Sequence, residues 1–419
     1  MTRQLAFDML GDSSGGFARP PVRHAGPPEL RVYLHRNGPD GLRVRAHFPD
    51  PADPDADPWH RADLEIPAEK LLDHGKRLRT IWYDKVVRHE STEPGPGQRV
   101  GGHPFADSAD LTRLGAATDA LIRTLAEEGF DVLDVMLDGN GYDLCRFREF
   151  LLGALAGDRT LRISFESEWQ LPWPMLAVDP ALCASPWEAF LGHRHQVEQT
   201  DRGYPWNHAP LGLREKATTS LNKDDTLDKV GRAQEVHELL DQRSWLVVRS
   251  ESRQLLEALS QSVLHEDVMY FWCHGSFVNA GAASQFLTIR LSDTDSIDGT
   301  LVSRKRRSYV RNPAARFRPF VLLNACHSAE TADAGHLEHL GQKLIDLGAT
   351  GILAPQIEMP QLFATEYAYA FLDQYLMGRH AAGEIGQSLV RRFAREFHNP
   401  LALAYSLNCG INSRLDLAS

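Results

Sequence analysis

The sequence predicts an α/β protein: a mostly parallel sheet flanked by helices on both faces, preceded by a small β-rich module. Three observations carry this. From residue 107 onward, helical stretches alternate with short apolar runs, the pattern of strands joined by crossover helices. Two of those runs, residues 268–273 and 320–323, are continuously apolar, as strands buried on both faces of a parallel sheet are. Before residue 105 the pattern instead alternates apolar and polar around turn residues, the signature of a hairpin.

The elements follow in order. Residues 1–28 are rich in Gly, Pro, Ser and Arg without periodicity and read as a flexible N-terminus. Residues 29–105 form the β-rich module. Strands are expected at 30–36 and 42–48 around Asn37-Gly38-Pro39-Asp40-Gly41, with a third at 62–66 and a helix at 67–79. The acidic, proline-rich stretch 49–58 is a solvated connector, and the Gly-Pro stretch 93–104 closes the module. Residues 106–419 form the second unit. Helices are expected at 111–128 (stopped by Gly129), 144–155, 230–240, 252–263 (with Ser252 as N-cap), 337–347 (stopped by Gly348), 362–376 and 385–397. Strands are expected at 132–137, 161–165, 217–221, 245–248, 286–291 and 351–354, beside the two long apolar runs.

Composition narrows the function. Apolar content of 42% and charged content of 24% are ordinary for a soluble globular chain. The 45 basic against 56 acidic residues leave a formal charge of −11, which argues against a general nucleic-acid binder. No apolar run approaches the roughly 20 residues that span a bilayer, and the N-terminus lacks a signal-peptide profile. Five scattered cysteines form no disulfide framework. A reducing cytoplasm is expected, which also keeps a thiol usable as a nucleophile.

The two apolar runs end at His274 and Cys326. Ligands of open α/β sheets bind beyond the carboxyl ends of strands. If the two strands are neighbours, a thiol and an imidazole share one crevice. Cys326 is then the nucleophile, with His274 as base and later acid. The N–H groups of Gly275 and Cys326 are the expected oxyanion donors. Cys273 and His327 alternate to the opposite face, so each Cys-His dipeptide offers at most one ligand to either side. The usual zinc spacing is absent, and no metal or other cofactor is expected. Asp131, Asp138, Asp293, Asp295 and Asp298 lack EF-hand spacing and read as solvated, as do His336, Glu338 and His339. A doubly wound nucleotide-binding or NAD-hydrolysing domain is disfavoured by the lack of a Gly-rich phosphate loop. Residues 304–318 carry Arg304, Lys305, Arg306, Arg307, Arg311, Arg316 and Arg318. They read as a basic, solvated loop, with partner docking or self-processing as alternatives.

Phe271-Trp272-Cys273-His274-Gly275 and Leu322-Leu323-Asn324-Ala325-Cys326-His327-Ser328-Ala329 together resemble the His and Cys motifs of CHAT peptidases, relatives of caspases and separase. Leu171-Pro172-Trp173, Gly348-Ala349-Thr350-Gly351-Ile352-Leu353 and Asn399-Pro400-Leu401-Ala402-Leu403 resemble further family segments. The chain departs from the family pattern at Pro174 and at Ala354-Pro355-Gln356. The resemblance implies a caspase-like fold and a cysteine endopeptidase with a protein substrate. It also implies a bacterial protease regulated in anti-phage defence or cell death. No sensor is evident in the chain, so a separate activating partner is expected. The presumed substrate pocket involves Asn324, Gln356 and Glu358. Asn324 stands where metacaspase-like relatives carry Asp, so an apolar or small residue is expected before the scissile bond unless Glu358 supplies a charge. The alternative is a catalytically silent caspase-like interaction module.

Overall fold

A computed structural model of the chain describes residues 26–38, 41–49, 57–91, 101–200, 214–279, 285–309, 317–327 and 337–417; at 276–279, 285–287, 326–327 and 337–339 it describes the backbone. The strands are β1 (Leu30–Asn37), β2 (Gly41–His47), β3 (Trp59–Leu64), β4 (Arg162–Ser167), β5 (Gln196–Thr200), β6 (Ala217–Lys223), β7 (Ser244–Arg249), β8 (Val268–Asn279), β9 (Gln285–Arg290), β10 (Ser296–Asp298), β11 (Phe320–His327), β12 (Gly351–Pro355) and β13 (Tyr405–Asn408). The α-helices are α1 (Ala68–Trp82), α2 (Ala116–Leu137), α3 (Tyr142–Ala156), α4 (Leu191–Arg194), α5 (Ala233–Arg243), α6 (Ser252–Leu259), α7 (Gly299–Arg306), α8 (Leu337–Asp346), α9 (Gln361–Tyr375) and α10 (Ala382–Phe397).

The thirteen strands among the described residues join one sheet. Its spine runs β7-β6-β8-β11-β12-β13-β5-β4-β1-β2-β3, and the β9–β10 hairpin pairs with the second half of β8. The apolar first half of β8 pairs in parallel with β6 and β11, and β11 pairs in parallel with β12, as is usual for continuous apolar runs. The β-rich N-terminal strands extend the same sheet, because β1 pairs in parallel with β4 while β2 and β3 continue antiparallel.

Two cores lie on opposite faces. On one, Val268, Tyr270 and Trp272 of β8 pack with Phe320 and Leu322 of β11 under α5 and α9. On the other, Met269, Phe271 and Cys273 pack with Val321, Leu323 and Ala325 under α6 and α8. The sheet is therefore flanked by helices on both faces, as expected. No helix among the described residues is long and apolar enough to cross a membrane.

Three local expectations fail for identifiable reasons. Residues 132–137 are the last turns of α2, not a strand. Gly129, the expected stop, lies inside that helix: a Cβ there would come within 2.4 Å of the Met175 carbonyl oxygen, so it is a close-packing glycine. The N-cap of α6 is Glu251, which forms a reciprocal capping box with Gln254. The expected cap, Ser252, instead donates through N–H and Oγ to Asp293. Finally, β5 was not anticipated, because Gln-Val-Glu-Gln-Thr carries no apolar signal. Its Glu198 and Gln199 are nonetheless buried, and both accept hydrogen bonds there.

His195 gives the fold a pH limit. It is 1% exposed, accepts from the Leu161 N–H at Nδ1 and donates from Nε2 to the Leu155 carbonyl. That arrangement requires the neutral ring, and burial pushes its pKa down to about 4. The unfolded chain binds the proton near pH 6.5, so the native state holds fewer protons below that pH and loses stability as pH falls toward 4. We expect a loss of about 2–3 kcal/mol between pH 7.5 and 4.5 from this residue. Denaturant midpoints at both pH values check it, and a His195→Asn variant should show a shallower slope.

Candidate active site

β8 and β11 are hydrogen-bonded neighbours, and their register sets Cys326 directly opposite His274. His274 follows the row of Val268, Tyr270 and Trp272, while Asn324 and Cys326 occupy the corresponding row of β11. Cys273 is buried in the opposite core, as its place one residue earlier dictates.

β8 does not end at His274. It runs on to Asn279, because residues 274–279 pair with β9 in an antiparallel ribbon. Gly275 therefore lies in the ladder, opposite Ile289 on one side and His327 on the other, and is not the open strand end expected of it. Arg290 of β9 stands directly across from His274 and donates to Ser296 Oγ at 3.2 Å.

A residue that sequence reasoning missed completes the geometry. Asp224 follows β6, the strand on the other side of β8. Its Oδ2 lies 3.7 Å from His274 Nε2, with side-chain exposures of 8% for the aspartate and 42% for the histidine. Its Oδ1 accepts from the Thr226 N–H at 2.8 Å and Thr226 Oγ1 at 2.7 Å. The Asp224 N–H donates to the Trp272 carbonyl, and Trp272 Nε1 donates to the Leu227 carbonyl at 3.2 Å. The turn is thus fastened across β8 beside the histidine. The sequence offered one signal, a carboxylate just past a strand. Asp225 next to it gave no means of choosing between the two.

The expected pocket residues are placed differently. Asn324 is 1% exposed. Its amide donates to the Ala364 carbonyl at 3.1 Å, and its Oδ1 accepts from Tyr405 at 2.7 Å. It holds α9 and β13 together and does not face an open crevice, so the expected preference for apolar or small residues loses its support. Gln356 is also buried, its Oε1 accepting from Arg79 Nε and Nη2 at 3.2 and 3.0 Å. Glu358 is half-buried and accepts from Tyr83 at 2.9 Å. Burial and that carboxylate push the Tyr83 hydroxyl up to about 12.

Arg79 and Tyr83 come from α1 and the turn after it, so the N-terminal segment buttresses this loop. Arg79 also donates to the Gln170 carbonyl at 2.9 Å. Replacing Arg79 by Met should cost about 2–3 kcal/mol, since it leaves buried acceptors without their charged donor. A denaturant midpoint unchanged in that variant would exclude this clasp.

The stretch 304–318 is not a simple loop. Arg304 and Lys305 are exposed on the last turn of α7. Arg306 is 2% exposed and donates to the Leu259 and Gln261 carbonyls, closing the end of α6 while lying over Phe317. Arg311 and Arg316 lie outside the described residues. Two of the carboxylates read as solvated are structural caps: Asp293 holds Ser252, and Asp298 accepts from the Leu301 N–H. No metal-binding group of His, Cys, Asp and Glu occurs among the described residues. His336 and the side chains of Glu338 and His339 lie outside what is described. Trp169, Trp173 and Phe371 are core residues, and Trp187 packs against the core.

Residues 169–391 match the model of the CHAT domain. A probable protease of Vitiosangium sp. (strain GDMCC 1.1324) is 29% identical over 160 residues, 38% of this chain and 20% of that protein. The chain thus spans about a fifth of that relative's length. Among solved structures, separase of Saccharomyces cerevisiae in its complex with securin aligns over 91% of this chain and 30% of its own, at 11% identity and a TM-score of 0.41. The Arg-specific cysteine proteinase gingipain R aligns over 83% of this chain and 76% of its own, at 8% identity and a TM-score of 0.36. Likeness this distant carries no chemical conclusion.

Proposed function

Because the chain belongs to the CHAT domain family, whose model covers more than half of it, we propose that it is a cysteine endopeptidase acting through Cys326 and His274. The observation that carries this reading is the register of β8 and β11, which sets the two residues opposite each other on adjacent strands. The Cys326 proton passes to the imidazole as sulfur attacks the substrate carbonyl carbon. The oxyanion is held by the N–H of Cys326. The N–H of Gly275 joins it once the ribbon with β9 opens there. His274 returns the proton to the departing amine as the C–N bond breaks, and a water activated by the same ring hydrolyses the thioester. No cofactor takes part.

The Gly275 ladder is a reason to expect a resting state that a separate activating partner releases. A cytoplasmic, bacterial setting in anti-phage defence or programmed cell death fits the family resemblance. Labelling new protein N-termini in bacteria that produce the wild-type chain or Cys326→Ala tests the function. Termini unique to the wild type support a peptidase and name its substrates. Identical termini, together with a Cys326 that no thiol probe labels, would make the chain a silent interaction module.

A further inference from the structure

We propose that Asp224 is a positioning residue for His274: its Oδ2 takes the Nε2–H of the imidazole, fixing the ring so that Nδ1 is the nitrogen left for the Cys326 thiol. The proposal rests on the thiol–imidazole reading of the site and adds to it a third group, supplied by a different strand.

Four observations carry it. First, Asp224 is buried, and its two oxygens divide their work: Oδ1 caps the turn through Thr226, and Oδ2 is the oxygen that faces the ring. Second, the carboxylate cannot swing away. Its own N–H is tied to the Trp272 carbonyl, the next N–H to Ser292 Oγ at 2.8 Å, and the turn to the Trp272 indole. Third, neighbouring charges leave this carboxylate to the histidine. Lys223 spends its ammonium on Asp225 and Asp228. Arg290 approaches His274 from the β9 side, where it bonds Ser296. Fourth, the 3.7 Å separation exceeds a hydrogen bond by under 1 Å, and a ring 42% exposed has room to close it by a small rotation. Such contacts commonly tighten only when substrate binds.

The chemistry follows from which nitrogen carries a proton. A carboxylate at Nε2 holds the proton there, so the lone pair sits on Nδ1. When Nδ1 takes the thiol proton, the imidazolium keeps Nε2–H against Oδ2, and Asp224 stays ionised throughout. The proton taken from sulfur leaves again from Nδ1 to the departing amine. Asp224 neither gains nor loses one.

The test is the rate of Cys326 alkylation by iodoacetamide in the full chain, read by mass spectrometry from pH 5 to pH 9. Asp224→Asn retains an oxygen to cap the turn, since Asn caps as well as Asp, but removes the charge. It should slow alkylation at pH 6 by about tenfold, the low end for loss of a group that orients a histidine, and move the profile up by about one pH unit. Asp224→Glu should recover part of the loss. Thr226→Val, which removes one of the two donors to Oδ1 and leaves the charge, should slow alkylation by much less than Asp224→Asn. An Asp224→Asn profile superimposed on the wild type overturns the proposal, provided His274→Ala still departs from it. A Thr226→Val profile matching Asp224→Asn overturns it too, because Asp224 would then act only through the turn. If His274→Ala itself superimposes on the wild type, the thiol–imidazole reading fails, a result distinct from either.

Discussion

Replacing Cys326 by alanine is expected to abolish peptide-bond cleavage, a fall of roughly 10⁴-fold or more, while leaving the fold intact. The size follows from the chemistry: without a thiol there is no acyl-enzyme, and the covalent route is lost rather than slowed. Alanine suits the position sterically, because it keeps the strand and adds no polar group to be buried. His274→Ala should fall by a similar factor, since the thiol then has no acceptor for its proton. The Cys326→Ala/His274→Ala double variant should be no slower than either single one, because residues that act as a unit lose their contribution together. Cleavage of an identified substrate by purified variants measures all three. Cleavage retained by Cys326→Ala would exclude the proposed nucleophile outright.

The largest effect on stability is expected at Trp173. Its indole is 1% exposed, stacks on Phe165 with centroids 3.7 Å apart and donates from Nε1 to Gln199 Oε1 at 3.0 Å. The same Gln199 oxygen accepts from the Leu171 N–H, and its amide donates to the Trp169 carbonyl. One buried glutamine thus clasps the irregular segment 169–173, and the indole fills the space above it. Trp173→Ala should cost about 3–5 kcal/mol, the range for emptying a large aromatic site in a close-packed core. Equilibrium denaturation of the full chain measures it. A loss below about 1 kcal/mol would mean that the core collapses around the vacancy, contrary to its fit against Phe165.

Much of the architecture was legible because it rests on local chemistry. Leu30 to Leu34 and Leu42 to Ala46 alternate, and the buried sides of β1 and β2 follow that alternation. α10 has one of the clearest apolar stripes, and its Ile385, Leu389, Val390 and Phe393 are the residues that pack inward. What misled was local chemistry serving a distant need. Gly129 reads as a helix stop and instead admits the Met175 carbonyl. β5 has no apolar pattern because its glutamate and glutamine are satisfied by partners 213 and 26 residues away. Asn324 alternates onto the expected row, yet its amide is taken up by α9 and β13, elements that no reading of β11 could bring to it.

By itself the sequence determined the class of fold, the two long buried strands, and the thiol and imidazole placed along them. Each depends on the period of side chains along a single strand or helix, which the chain carries with it. Tertiary structure alone decided the register that sets Cys326 against His274, the continuation of β8 past the histidine, and the extension of the sheet by β1 to β3. It alone chose Asp224 over Asp225 as the carboxylate beside the ring. Apart from the local β8–β9 hairpin, those outcomes are set by pairings between segments tens of residues apart. Their hydrogen bonds form only once the chain has folded, and they leave no periodic trace in either partner.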